Sequence, residues 1–139
     1  MADSQAIGCP GTIEPGIGHT AALLGAWLRT LPGVDATAPT AVTVGGLRGF
    51  TLDVSIKPSW TQTCPYSGGK PYVAMFTNGD SVNNFDWGLT AGGAMRLFLL
   101  DLPDGRTTLI DVEAQDRAAW DALISDATPV IGTFEFHQP

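Results

Sequence analysis

Basic charge is scarce in this chain. Seven Lys and Arg stand against fourteen Asp and Glu, leaving a net charge of −7, and the basic residues, Arg29, Lys57, Lys70, Arg96 and Arg117 among them, are scattered. Binding to duplex nucleic acid or to an anionic lipid surface needs a concentrated positive patch, so neither is expected. Long apolar runs are missing too, and none approaches the roughly 20 residues of a membrane-spanning helix. The first residues, MADSQAIGCPG, have neither a basic nor an apolar leader region, so an exported setting requires a leader removed before this sequence begins. Cysteine occurs twice and never as a CxxC pair, which excludes a zinc ribbon and a thioredoxin-type motif. HExxH, a phosphate-cradling glycine loop and a Ser-His-Asp order are lacking, and VGGLRG does not match GxGxxG.

What is present is a patterned globular chain. With 139 residues, 44% of them hydrophobic, one domain with a sizeable core is expected, preceded by an irregular Gly- and Pro-rich arm over residues 1–18. Thr20 is placed to cap a helix whose Leu24, Trp27, Leu28 and Leu31 fall on one face, and Pro32-Gly33 stops it. From Thr40 the period changes to two: AVTV, the pair Gly45-Gly46 and LRGFTLDVSI read as a hairpin. YVAMF (72–76) reads as a strand, and TNGDSVNNFDWG (77–88) as a polar, turn-rich stretch. MRLFLLDL and RTTLIDVE flank Leu102-Pro103-Asp104-Gly105, a hairpin whose Asp-Gly pair suits the positive φ angles of a tight turn. Leu97 to Leu100 is apolar on both faces, as a mid-sheet strand covered above and below would be. Asp116 is expected to cap a second helix with an Ala119, Trp120, Leu123, Ile124 stripe, and 133–136 to close the sheet. The expected class is therefore α+β, an antiparallel sheet covered by helices, over residues 19–139.

The helix GAWLRTLPGV, the segment AVTVGGLRGFTLDV, a lone Cys, RLFLLDLPDGRTTLIDVEA and the closing AWDALISDATPVIGTFEF together resemble an uncharacterised domain frequent in exported proteins and lipoproteins of high-GC Gram-positive bacteria. The resemblance runs from about Thr20 to Phe136 and implies a PsbP-like α/β/α sandwich. It also implies an extracellular or cell-envelope setting and an accessory or partner-binding role rather than catalysis.

Chemistry-bearing residues are few. Cys9 and Cys64 are read as a disulfide tying the arm to the loop TCPYSGGKPY; two free thiols, a Cys2His2 metal site with His19 and His137, and a nucleophilic Cys64 with His19 as base are the alternatives. Closing a loop of this size is worth about 4 kcal/mol in the chain-entropy model. Trp27 and Trp120 lie on helix stripes and read as core. Trp60 and Trp87 sit in the two turn-rich segments beside Tyr66, Phe85 and Asp86, where an aromatic either folds onto the core or lines a recess. Asp80, Asn83, Asn84 and Asp86 invite a calcium reading, but their spacing fails the EF-hand pattern. Asp53, Asp101, Asp111 and Glu113 fall on strands and offer a carboxylate pair, although their alternation with apolar residues is that of wet strand positions. No catalytic residue, metal or cofactor is assigned. The leading expectation is a non-catalytic binding domain that uses Trp60, Tyr66, Phe85, Asp86 and Trp87 to contact a protein or small apolar ligand. The alternatives are a small-pocket hydrolase or isomerase with Asp86 or His19 as general base, and a purely structural domain of a larger envelope assembly with no pocket and with Trp60 and Trp87 buried.

Overall fold

The computed structural model describes Cys9, residues 13–77 and residues 86–137. The chain is α+β. Among the described residues seven strands form two antiparallel sheets accompanied by two helices, in the order α1 (Ala21–Leu28), β1 (Val34–Ala36), β2 (Thr40–Val44), β3 (Leu47–Ile56), β4 (Tyr72–Thr77), β5 (Asp86–Thr90), β6 (Ala94–Asp101), β7 (Thr107–Ala114) and α2 (Trp120–Ile131). The main sheet runs β1-β3-β6-β7, with β2 continuing the flank of β3 that β1 begins. β4 and β5 make the second sheet.

β6 is the organising strand, paired with β3 on one side and β7 on the other. Its alternate residues feed two separate cores. Met95, Leu97 and Leu99 join Leu52 and Val54 of β3, Leu24, Trp27 and Leu28 of α1, and Val73, Met75 and Leu89 of the small sheet. Phe98 and Leu100 face the opposite way and meet Val44 and Ile131. The layers follow: α1 and the β4–β5 hairpin cover one face, and α2 covers the other.

Local chemistry starts α1 where expected, but the helix ends at Leu28 with Arg29 as its cap, so Leu31 lies beyond it and Pro32-Gly33 is not its stop. The Thr20 hydroxyl accepts from the Leu23 amide at 3.3 Å, which caps α1. A second cap arrives from far along the chain, because the Asp101 carboxylate accepts from the Ala21 amide at 2.7 Å. Gly45 and Gly46 both adopt positive φ in the β2–β3 turn.

Four further expectations need correction. In the β6–β7 hairpin Asp104 keeps a negative φ and Gly105 alone is positive, at 84°. The turn is thus a type I turn closed by a left-handed glycine, with the Gly105 amide donating to Leu102 and the Leu102 amide to Arg106. Asp116 caps a 3-10 turn, Arg117–Ala119, rather than α2 itself, and Ala119 is exposed. Residues 133–136 do not close the sheet: the tail leaves α2 across the Gly45-Gly46 turn, where the Phe136 ring packs and no strand lies alongside. Finally, the 77–88 stretch is not loop throughout, since β5 begins at Asp86 and pairs with β4 around an irregularity between Ala74 and Phe76.

Candidate functional site

The loop that opens at Lys57 and carries TCPYSGGKPY folds as a compact cover on the outer face of β4. Its entry is fixed by the Lys57 amide donating to the Gly33 carbonyl at 2.9 Å, and its exit by a bridge between Thr63 and Pro71 and by the Tyr72 amide donating to Gln62 at 2.8 Å. Inside it, Ser67 is the polar pin. Only 8% exposed, its hydroxyl accepts from the Cys64 amide at 3.1 Å and lies 2.9 Å from the Cys64 carbonyl and 2.7 Å from the Lys70 carbonyl, either of which can take its single proton. Gly68 and Gly69 then take φ of 61° and 77°, a conformation side chains disfavour, which explains the Gly-Gly pair.

Cys64 is bonded to Cys9, with Cα atoms 5.8 Å apart across 55 positions. That separation lies inside the range for disulfides. Neither sulfur is available as a nucleophile or metal ligand, which removes the thiol readings. The disulfide, Tyr72 and Ala74 form a small apolar cluster of their own. β4 is therefore buried on both sides, with Val73 and Met75 in the main core and Tyr72 and Ala74 beneath the tethered loop.

Replacing Ser67 with Ala is expected to cost about 1–3 kcal/mol, because it strands the buried Cys64 amide without an acceptor. Chemical denaturation checks this, and an unchanged midpoint would show the hydroxyl to be dispensable.

The aromatic residues do not converge on one recess. Trp60 turns inward: its ring packs on Gly33 and Val73 so closely that a Cβ at Gly33 would sit 2.5 Å from it, and its indole N–H donates to the Tyr72 carbonyl at 2.9 Å. Trp87 packs on the main core and pairs in register with Phe76, toward the far end of the hairpin from Trp60. Tyr66 faces outward. It is 55% exposed and stands edge-on to Tyr72, with ring centroids 5.4 Å apart. Asp86 opens β5 opposite Thr77. Phe85 lies outside the described residues, as do Asp80, Asn83 and Asn84 of the calcium reading.

The strand carboxylates have separate settings. Asp53 grips Arg96 in a two-pronged pair of 2.6 and 2.8 Å directly across β3 and β6, and the Arg96 and Arg117 guanidiniums lie 6.0 and 5.9 Å from the Trp120 ring. The hydrogen bond from Arg96 to Asp53 holds the guanidinium above its ordinary pKa. Asp101 is the distant cap of α1. Asp111 and Glu113 share a face of β7 two positions apart, and burial raises both; the charge of Asp111 raises Glu113 further, while the Gln115 amide, donating to Glu113 at 2.7 Å, opposes this.

His19 lines an open cleft of about 380 Å³ with Leu24, Arg106 and Thr107, and its carbonyl accepts from the Thr107 hydroxyl. A larger groove of about 630 Å³ runs between the β2–β3 and β6–β7 turns over Phe136. Among the described residues no three His, Cys, Asp or Glu side chains gather as a metal site, and no helix is long and apolar enough to cross a membrane. The Ser67 pin and the Asp101 cap were missed in the sequence because each depends on a turn or a partner that spacing does not reveal. No family model, curated protein or solved structure matches the chain.

Proposed function

We propose that the chain is a non-catalytic accessory or binding domain of the cell envelope that contacts a protein partner through the disulfide-clamped loop carrying Tyr66. One observation carries this reading: a large aromatic ring is held 55% exposed on a loop fixed at both ends and bonded through Cys64. Holding an exposed aromatic on a rigid loop lowers the ordering cost of binding, and tyrosine contributes contact area together with a polar tip. Trp60 and Trp87 support the loop and the hairpin from within, so the contact surface reduces to Tyr66 and its rim. The disulfide fits an oxidising compartment outside the cytosol, in keeping with the resemblance to exported domains.

The test is site-specific photocrosslinking in the envelope of the native host, with p-benzoylphenylalanine in place of Tyr66. Discrete crosslinked species are expected from this position and not from Val130, an equally exposed apolar residue on α2. Indistinguishable patterns from the two positions would defeat the proposal.

A further inference from the structure

The main sheet has two edges of different construction. On one side the ten-residue β3 is flanked by β1 and β2, of three and five residues. An edge broken into short pieces is poorly suited to pairing with another chain. The other edge is β7, eight residues long, free of Gly and Pro, and in unbroken register with β6 from Ala94 opposite Ala114 to Asp101 opposite Thr107. Among the described residues β6 is its one paired strand. In an antiparallel strand paired on one side, alternate residues turn their N–H and C=O groups outward. Among the described residues no strand pairs with this outer side, so β7 presents a row of outward backbone groups about 26 Å long.

The side chains flanking this row carry a specific charge pattern. Ile110 and Val112 pack toward α2 and Leu109 toward the main core, so a strand laid beside β7 would meet aliphatic surface on both faces. Asp111 and Glu113 share one face, opposite Leu97 and Met95 across the ladder, and both of those neighbours are fully buried. Neither carboxylate has a cation from its own sheet: Arg96 lies on the opposite face, committed to Asp53, and Arg117 lies over Trp120. The Gln115 amide on Glu113 is the neighbouring polar contact. Their raised pKa values reflect the same partial burial, with no positive partner among the described residues.

We propose that the β7 edge is a docking site for an extended basic segment of a partner protein, which adds a strand beside β7 and sets Lys or Arg against Asp111 and Glu113. The spacing of the two carboxylates, i and i+2 on one face, matches the alternation of a strand in which every second residue is basic. A second copy of this chain is the poorer occupant, because it would bring the same carboxylates together in a protein of net charge −7. The surface is separate from the Tyr66 loop and does not depend on its role.

The probe is an end-blocked octapeptide alternating Lys with Val and Thr, titrated into the isotope-labelled full chain and followed by amide chemical shifts. Shifts are expected along 107–114 and not along β2. Asp111→Asn with Glu113→Gln should weaken binding roughly 2- to 30-fold, the range of two opposite-charge cross-strand pairs. Added salt should weaken binding to the unaltered chain, a reading that needs no variant to fold. The peptide with Glu in place of Lys should not bind, and Tyr66→Ala should leave binding unchanged. Shifts that are absent, scattered over the surface or equal in the double variant would overturn the proposal. So would self-association of the unaltered chain through β7.

Discussion

Leu99→Ala should lower the unfolding free energy by about 2–5 kcal/mol, as read from denaturant midpoints at unchanged m-value. The position warrants the upper part of that range. Leu99 is fully buried on β6, lies directly between Phe50 of β3 and Leu109 of β7, and also reaches Gly25 of α1. Relaxation is restricted because a strand held by ladders on both sides cannot move inward to fill the void, so the cavity term adds to the lost transfer energy. The carbonyl of Leu99 also sits against Gly49, leaving no room for a Cβ there. A loss under 1 kcal/mol would mean that β6 is not the centre of the core.

Removing the disulfide, by reductant or as Cys9→Ser with Cys64→Ser, should cost about 4 kcal/mol in the chain-entropy model for a closure of this length. Thermal melts with and without reductant measure it. The expectation rests on the unfolded chain, which gains the freedom of a long loop when the bond is cut, and on the native cluster in which Cys64 is 7% exposed against Tyr72 and Ala74. A loss of this size is comparable to the net stability of a marginal domain, so the reduced protein should melt far below the oxidised one. An unchanged melting temperature would assign the loop's order to Ser67 and the β4 contacts alone.

Much of the sheet was legible in the sequence because side-chain period reports burial. The two-sided apolar run of β6, the alternation in β3 and the glycine turns each have a local cause, and each is found where expected. β1 was not legible: Val34, Asp35 and Ala36 are too few to show a period, and they are strand only because Ile56, Ser55 and Val54 lie opposite. β5 was hidden by its polar approach and by Gly88, and it exists through pairing with β4. Conversely, TFEF alternates like a strand, yet the tail crosses a turn at the end of the sheet, where no ladder is available. Of the site, the disulfide was legible from the shortage of alternatives for two isolated cysteines. The inward turn of Trp60 was not, since it depends on the missing side chain of Gly33, 27 positions earlier.

The cap that Asp101 places on Ala21 also bears on the order of folding. α1 precedes its sheet in the chain, yet with eight residues it is too short to persist alone in water. One of its first-turn amides waits for a carboxylate 80 positions downstream, and the carbonyl before its cap waits for Thr107. The hydrophobic face of the helix rests on β3 and β6 together, so its seat is complete only once β6 is in place. α1 is completed late, in a closure that spans 80 positions, and until then its leucines and tryptophan stay open to water.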